Sequence, residues 1–189
     1  MLKRPIWLLA AVAAAITALT VILAAPADAQ VSQEVNIRKI IVKSEPVSSE
    51  ASLIGSADRI AYGWFDSADR ELDTGQKVKS GKLVNFTQTF HVERSLKGES
   101  SRLIRVLSTG IEPLPAAKDP LNNIYPGPIV EGTYVCFLKK LPRQDVYTII
   151  GGWQGVYPVH DGKTIALEGA GFPQLGGLTL DQVAARVRS

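Results

Sequence analysis

His91 and Glu93 lie two residues apart, a spacing that puts both side chains on one face of a strand. With His160 and its neighbour Asp161 they are the residues best suited to proton transfer or metal binding. Two imidazoles and a carboxylate can hold a divalent transition metal if a fold gathers them. A metal-assisted hydrolase using His91, Glu93 and His160 is therefore one functional reading. The plainer reading is a solvated strand face beside Thr87 and Thr89, with His160 at a hairpin edge, because no HExxH spacing is present.

Other chemistry is hard to find. Ser108-Thr109-Gly110 lacks the leading glycine of a nucleophile elbow. The stretch from Gly75 to Leu83 misses the spacing of a phosphate loop, and Leu83 stands where a serine or threonine is needed. Cys136 is the single cysteine, so internal disulfides are excluded, and its neighbours Val135 and Phe137 read as a buried strand. Asp66, Asp69, Glu71 and Asp73 match no calcium-loop spacing and read as a solvated acidic loop. Asn85-Phe86-Thr87 is formally a glycosylation acceptor. No cofactor is expected from any of these patterns.

The aromatic residues offer binding rather than catalysis. Trp64, Trp153 and Tyr157, with Tyr125 in a proline-rich stretch, could line a concave face for a sugar or peptide. The alternative is that they fill the core. Trp153, set among Gly151, Gly152 and Gly155, is the one best placed for exposure.

The first thirty residues set the destination. Lys3 and Arg4 precede an apolar run from Ile6 to Ala25, and Ala27-Asp28-Ala29 fits the small-x-small pattern of signal peptidase. Residues 1–29 therefore read as a signal peptide cleaved between Ala29 and Gln30, leaving 30–189 as a single β-rich domain. The alternative is an uncleaved anchor over residues 6–25, since about 20 apolar residues can span a bilayer. Either way the domain is expected outside the cytoplasm, extracellular or in the cell envelope, and membrane contact is expected only if the segment is retained.

Composition agrees with an ordinary globular domain: 46% hydrophobic and 21% charged residues in a chain of 189. A formal net charge of +3 is too small an excess to suggest a nucleic-acid partner.

Along the mature chain, Val31 to Val47 is partly alternating, through Val35, Ile37, Ile40, Ile41 and Val42, and reads as a first strand ended by Pro46, and Ser48-Ser49-Glu50 caps a short helix closed by Gly55. Arg59 to Phe65 is an aromatic strand in which Gly63 marks a bulge or bend. Asp66 to Lys82 has the composition of an exposed loop. Leu83 to Leu96 alternates, with Phe86, Gln88, Phe90 and Val92 on one face, and Leu103 to Leu107 returns as its partner. Thr109 to Pro128 reads as a long proline-rich loop. Thr133 to Leu138 is nearly all apolar, a strand covered on both faces. Val146 to Ile150 follows, then strands Val156–His160 and Thr164–Leu167 around the turn Asp161-Gly162-Lys163. A capping box at Thr179 starts a C-terminal helix. The absence of βαβ alternation gives a mostly β fold: a small antiparallel OB-like barrel or sandwich with a short N-terminal and a C-terminal helix.

Three segments, Ser56-Ala57-Asp58-Arg59-Ile60, Phe90 to Gly98 and Glu131 to Leu138, form a succession that resembles a set of uncharacterised exported bacterial proteins. More distantly, it resembles the netrin-like module and the tissue inhibitors of metalloproteinases. The resemblance covers residues 56–160 and implies an OB-type barrel that binds other molecules. The inhibitors approach their metal with a processed N-terminal cysteine. Here Gln30 would stand there, so that mechanism carries over to no residue of this chain. The leading functional expectation is an exported, non-enzymatic binding module for an exported protein, a peptide or a glycan. Its ligand would meet either the Pro113–Pro128 loop or the aromatic face near Trp64 and Trp153. A protease inhibitor or envelope-assembly factor is a third expectation.

Overall fold

A computed structural model describes residues 37–68, 70–142 and 145–188. The signal segment and its cleavage point, Ala29 and Gln30, lie outside the described residues.

Five strands close a barrel. They are β1 (Arg59–Phe65), β3 (Gly81–Lys97), β4 (Leu103–Glu112), β5 (Gly132–Lys140) and β6 (Tyr147–Ile149). β1 pairs with β3, β3 with β4, β4 with β6, β6 with β5, and β5 returns to β1. That path is the OB-like barrel, and the closure of β5 on β1 decides against an open sandwich. One pair departs from the antiparallel expectation: β4 and β6 run parallel and meet only at Val106 and Tyr147.

The long alternation in β3 is realised as expected. Phe90 and Val92 point inward with Ala61, Phe65, Ile104, Val106, Cys136 and Leu138. β5 is buried on both faces, because Cys136 and Leu138 enter the barrel while Val135 and Phe137 join an outer cluster. That outer cluster is built by α1 (Glu50–Ser56), β7 (Val156–His160) and α3 (Leu180–Arg188), which supply Leu53, Tyr157 and Val183. Ser49 caps α1, its hydroxyl accepting from Ser52 N–H at 3.1 Å.

Four expectations are corrected. The stretch from Val31 to Val47 is not a strand where it is described: residues 37–39 are helical and 40–47 form a strap without ladder pairing. Its apolar side chains do dock, Ile37 against Leu72, Leu107 and Val146, and Ile41 against Leu83, Ile111 and Tyr125. Its backbone is met by side chains instead. Asn85 Nδ2 donates to the carbonyls of Ile37 and Ile40, each at 2.7 Å, and Thr109 Oγ1 accepts from Val42 N–H at 2.9 Å. A half-buried strap can satisfy its polar groups in this way without being a strand. The same contacts bury Asn85 completely, so the glycosylation acceptor is closed to modification.

Second, Asp66 to Lys82 is not wholly a loop. Arg70–Val78 forms β2, which pairs with the first half of β3. Its charged residues reflect an exposed edge strand, where charge discourages further pairing. Third, Thr109 to Pro128 begins as strand, because β4 runs to Glu112, and it carries a helical turn, α2 (Leu121–Ile124). Fourth, the return strand after the Asp161-Gly162 turn, β8, is only Lys163–Thr164.

Candidate functional face

The outer surface of β3 and β4 is the face on which OB-type barrels take ligands, together with the loops that flank it. Here the strap covers one half, over Asn85 and Thr109. The other half is open.

One row crosses the open half. Trp64 on β1 is in register with His91 on β3, and His91 with Leu103 on β4. The rings of Trp64 and His91 stack with centroids 3.8 Å apart and planes 2° from parallel. Leu103 beside them is 60% exposed and Trp64 37% exposed. The stack depends on a close approach of β1 to β3. A β-bulge falls between Tyr62 and Gly63, and any Cβ at Gly63 would collide with the His91 carbonyl oxygen.

Asp66, just past the end of β1, fixes the imidazole. Its Oδ2 lies 2.6 Å from His91 Nε2, so that nitrogen carries the donated proton and the ring is held in one orientation. The carboxylate's position follows from the turn after β1, where Gln88 Nε2 donates to the Asp66 carbonyl at 3.1 Å. Gln88 is buried in the barrel mouth and also exchanges two hydrogen bonds with the Ile129 backbone. One core amide therefore anchors both the Asp66 turn and the end of the proline-rich loop.

Thr89 and Arg105 form the next row outward from the strap. Arg105 is exposed and forms no ion pair with any described residue. A groove of about 400 Å³ runs beside it, lined by Thr89, Leu103, Ile104, Arg105, Asp145 and Val146. An exposed aromatic pair, an aliphatic side chain and a guanidinium can stack a planar group and bind an anion side by side.

The remaining residues singled out in the sequence are dispersed. Glu93 hydrogen-bonds the Tyr62 hydroxyl, and burial followed by this carboxylate raises that phenol's pKa. His160 is 79% exposed on β7, with Asp161 at 3.5 Å. Among the described residues no group of three or more His, Cys, Asp or Glu side chains is placed to hold a metal. Tyr125 and Tyr157 are core residues, and the Tyr157 hydroxyl accepts from Phe172 N–H at 2.9 Å. Trp153 is half-buried, its Nε1 donating to the Asn122 carbonyl at 3.3 Å, beside a small cavity of about 220 Å³. Trp64 and Trp153 thus belong to different regions. Burial drives the Cys136 thiol pKa far up, so it is not a reactive thiolate at neutral pH.

The proline-rich loop borders a shallow, open depression of about 1090 Å³ between Leu114 and the β2–β3 hairpin. Its cations Lys77, Lys79 and Lys82 face Glu71 and Glu112, and Lys82 is paired with Glu112 at 3.0 Å and Asp73 at 3.5 Å. The charges nearly cancel, so no ligand class is selected there.

Sequence reading missed Asp66 as the partner of His91, and missed Leu103 and Arg105. The alternation of Leu103 to Leu107 put those two side chains on one face, which was the available signal. The fold and the face together define an OB-like barrel with a stacked aromatic pair on the outer surface of β1 and β3. Comparison with protein-family models, curated proteins and solved structures found no match.

Proposed function

We propose that this chain is an exported, non-enzymatic binding module whose ligand meets the open half of the β3–β4 face. The observation that carries the reading is the exposed Trp64–His91 stack, held by Asp66, in register with Leu103. Rigid aromatic side chains lose little entropy on binding, which makes them effective anchors. The site is placed on strands rather than loops, so its geometry is set before a ligand arrives.

The OB-like path also supports the netrin-like relationship suggested by the sequence. The inhibitor chemistry of that group does not follow, since the single cysteine, Cys136, is buried in the barrel.

The test uses purified protein against immobilised glycan and peptide panels. A ligand bound by the wild type and by Trp153→Phe, but lost in Trp64→Ala, supports the reading. Turnover of any panel substrate, or binding indifferent to Trp64, overturns it.

A further inference from the structure

We propose that the pocket beside Trp153 binds one neutral sugar ring, the terminal pyranose of a glycan. It is a second site, independent of the β3–β4 face.

Four segments distant in sequence build the pocket: the strap at Ser44 and Pro46, the end of α2 at Asn123, the turn that carries Trp153, and the turn at Gly169 and Ala170. Hydrogen bonds between segments close this framework. The Gln154 amide takes both backbone groups of Val47, its Oε1 accepting from the N–H at 2.6 Å and its Nε2 donating to the carbonyl at 3.2 Å. Ser44 N–H donates to the Ile124 carbonyl at 2.9 Å, which ties the strap to α2. The Trp153 indole is tied to the same helix through the Asn122 carbonyl. Gly152, at φ +56°, lets the strap lie against the Trp153 turn, because a Cβ there would collide with the Ser44 side chain. The pocket is therefore shaped before a ligand arrives, which lowers the entropy lost on binding.

The groups that line the pocket are those the framework does not use. Trp153 supplies an aromatic wall, and Pro46, Gly169 and Ala170 supply small aliphatic surface. The Ser44 hydroxyl and the Asn123 carboxamide form no hydrogen bond with any described residue, so both offer donors and acceptors. None of the lining side chains is charged.

These features select the ligand. The volume of about 220 Å³ lies below the roughly 300–1,000 Å³ of sites for drug-sized molecules, so the pocket holds a single ring. A free amino acid brings two charges that need partners, and this lining supplies none. An apolar ring would leave Ser44 and Asn123 unpaired. A flat base has two faces to cover, and the pocket offers one aromatic wall. A pyranose meets every demand. Its C–H face lies on the indole, and its hydroxyls, each donor and acceptor, reach the serine and the amide at the rim.

The test is saturation-transfer difference nuclear magnetic resonance on the purified protein, titrated with the methyl pyranosides of glucose, mannose and galactose. At least one should bind with a Kd of about 1 mM, the scale for a ligand of that size in a preformed site. Cyclohexylmethanol, a ring without rim hydroxyls, and adenosine, a flat polar ring system, should bind at least about fivefold more weakly. Ala170→Leu, which fills the pocket, should abolish glycoside binding. Asn123→Ala should weaken it about fivefold, the scale of one neutral hydrogen bond. Both substitutions fall on residues with exposed surface, so the circular dichroism of the two variants should match the wild type. Trp64→Ala should leave glycoside binding unchanged. Failure of all three glycosides to bind, equal binding of either comparison ring, or binding indifferent to Ala170→Leu overturns the proposal. Glycoside binding lost in Trp64→Ala and kept in Ala170→Leu also overturns it, and moves the sugar to the β3–β4 face. A panel ligand that depends on Trp64 supports that face whatever the glycosides do.

Discussion

Thr109 Oγ1 donates to Asn85 Oδ1 at 2.7 Å, and neither residue has any exposed surface. The pair sits on adjacent strands at facing register positions and turns outward from the barrel. Its remaining hydrogen-bonding capacity goes to the strap: two carbonyls for the Asn85 amide and one N–H for the Thr109 hydroxyl. Half of the outer β3–β4 face is thus occupied by the chain's own segment, and the buried polar pair is what specifies that segment's position.

Asn85→Ala removes the donor shared by Ile37 and Ile40, leaving one buried and one half-buried carbonyl without it. Each such group costs about 1–3 kcal/mol, so a loss of ~2–4 kcal/mol is expected in urea unfolding. Amide exchange should accelerate in residues 37–44 before the barrel strands are affected. A uniform acceleration across β3 and β4 would show that Asn85 supports the barrel rather than the strap.

How far the sequence reveals this molecule depends on where each residue's partner lies. β3 is readable because its period of two is set by one barrel wall, from Phe86 to Val92. β5 is readable because both of its faces are covered, so Val135 to Leu138 are all apolar. The strap is not readable. Ile37, Ile40, Ile41 and Val42 have the spacing of a strand, and the Asn85 and Thr109 groups that replace its ladder come from more than 40 residues away. The site divides similarly. Trp64 stands out by type, but whether an aromatic faces water or core is decided by tertiary packing, which buries Tyr157 and leaves Trp64 exposed. The Asp66–His91 contact spans 25 positions and has no local signature.

Arg59 closes the opposite end of the barrel. It is 2% exposed, its Nη2 donates to the Glu99 and Ser101 carbonyls, and its guanidinium lies 5.7 Å from the Tyr147 ring centroid. The cation thus ties the β3–β4 turn to β1 without a carboxylate partner among the described residues. Arg59→Met keeps much of the packing and loses the bonds, whereas Arg59→Ala also opens a cavity. Losses of ~1–3 kcal/mol for Met and at least about 3 kcal/mol for Ala are expected in denaturant titrations. Equal losses would mean that packing contributes nothing beyond the two hydrogen bonds.

Gly63 lets β1 approach β3, and the Trp64–His91 stack sits on that approach. Gly63→Ala places a methyl group against the His91 carbonyl and must push the strands apart. A destabilisation of ~2–4 kcal/mol is expected, within the range for overpacking and a broken ladder. The near-ultraviolet circular dichroism of Trp64 should change with it. Trp64→Ala, which removes a surface ring, should cost about 1 kcal/mol or less. A Gly63→Ala protein with wild-type stability would show that the close approach is dispensable.

Tyr157 makes stability depend on alkaline pH. Burial pushes its phenol up to about 12, and the Phe172 N–H donated to its oxygen opposes this only in part. In the unfolded chain the phenol ionises near its ordinary value of about 10. Below that value both states hold the proton, and the group adds no pH dependence. As pH rises from about 10 towards 12, the unfolded chain loses the proton while the folded one keeps it, so stability falls. Tyr62 and Tyr134, also raised by burial, act in the same direction. Tyr157→Phe should therefore be less stable at neutral pH by ~1–2 kcal/mol, having lost the bond to Phe172. Its stability should then decline less steeply above pH 10 than that of the wild type. Urea midpoints measured across that alkaline range decide the matter. Parallel curves for the two proteins would show that the Tyr157 hydroxyl ionises freely in the folded state.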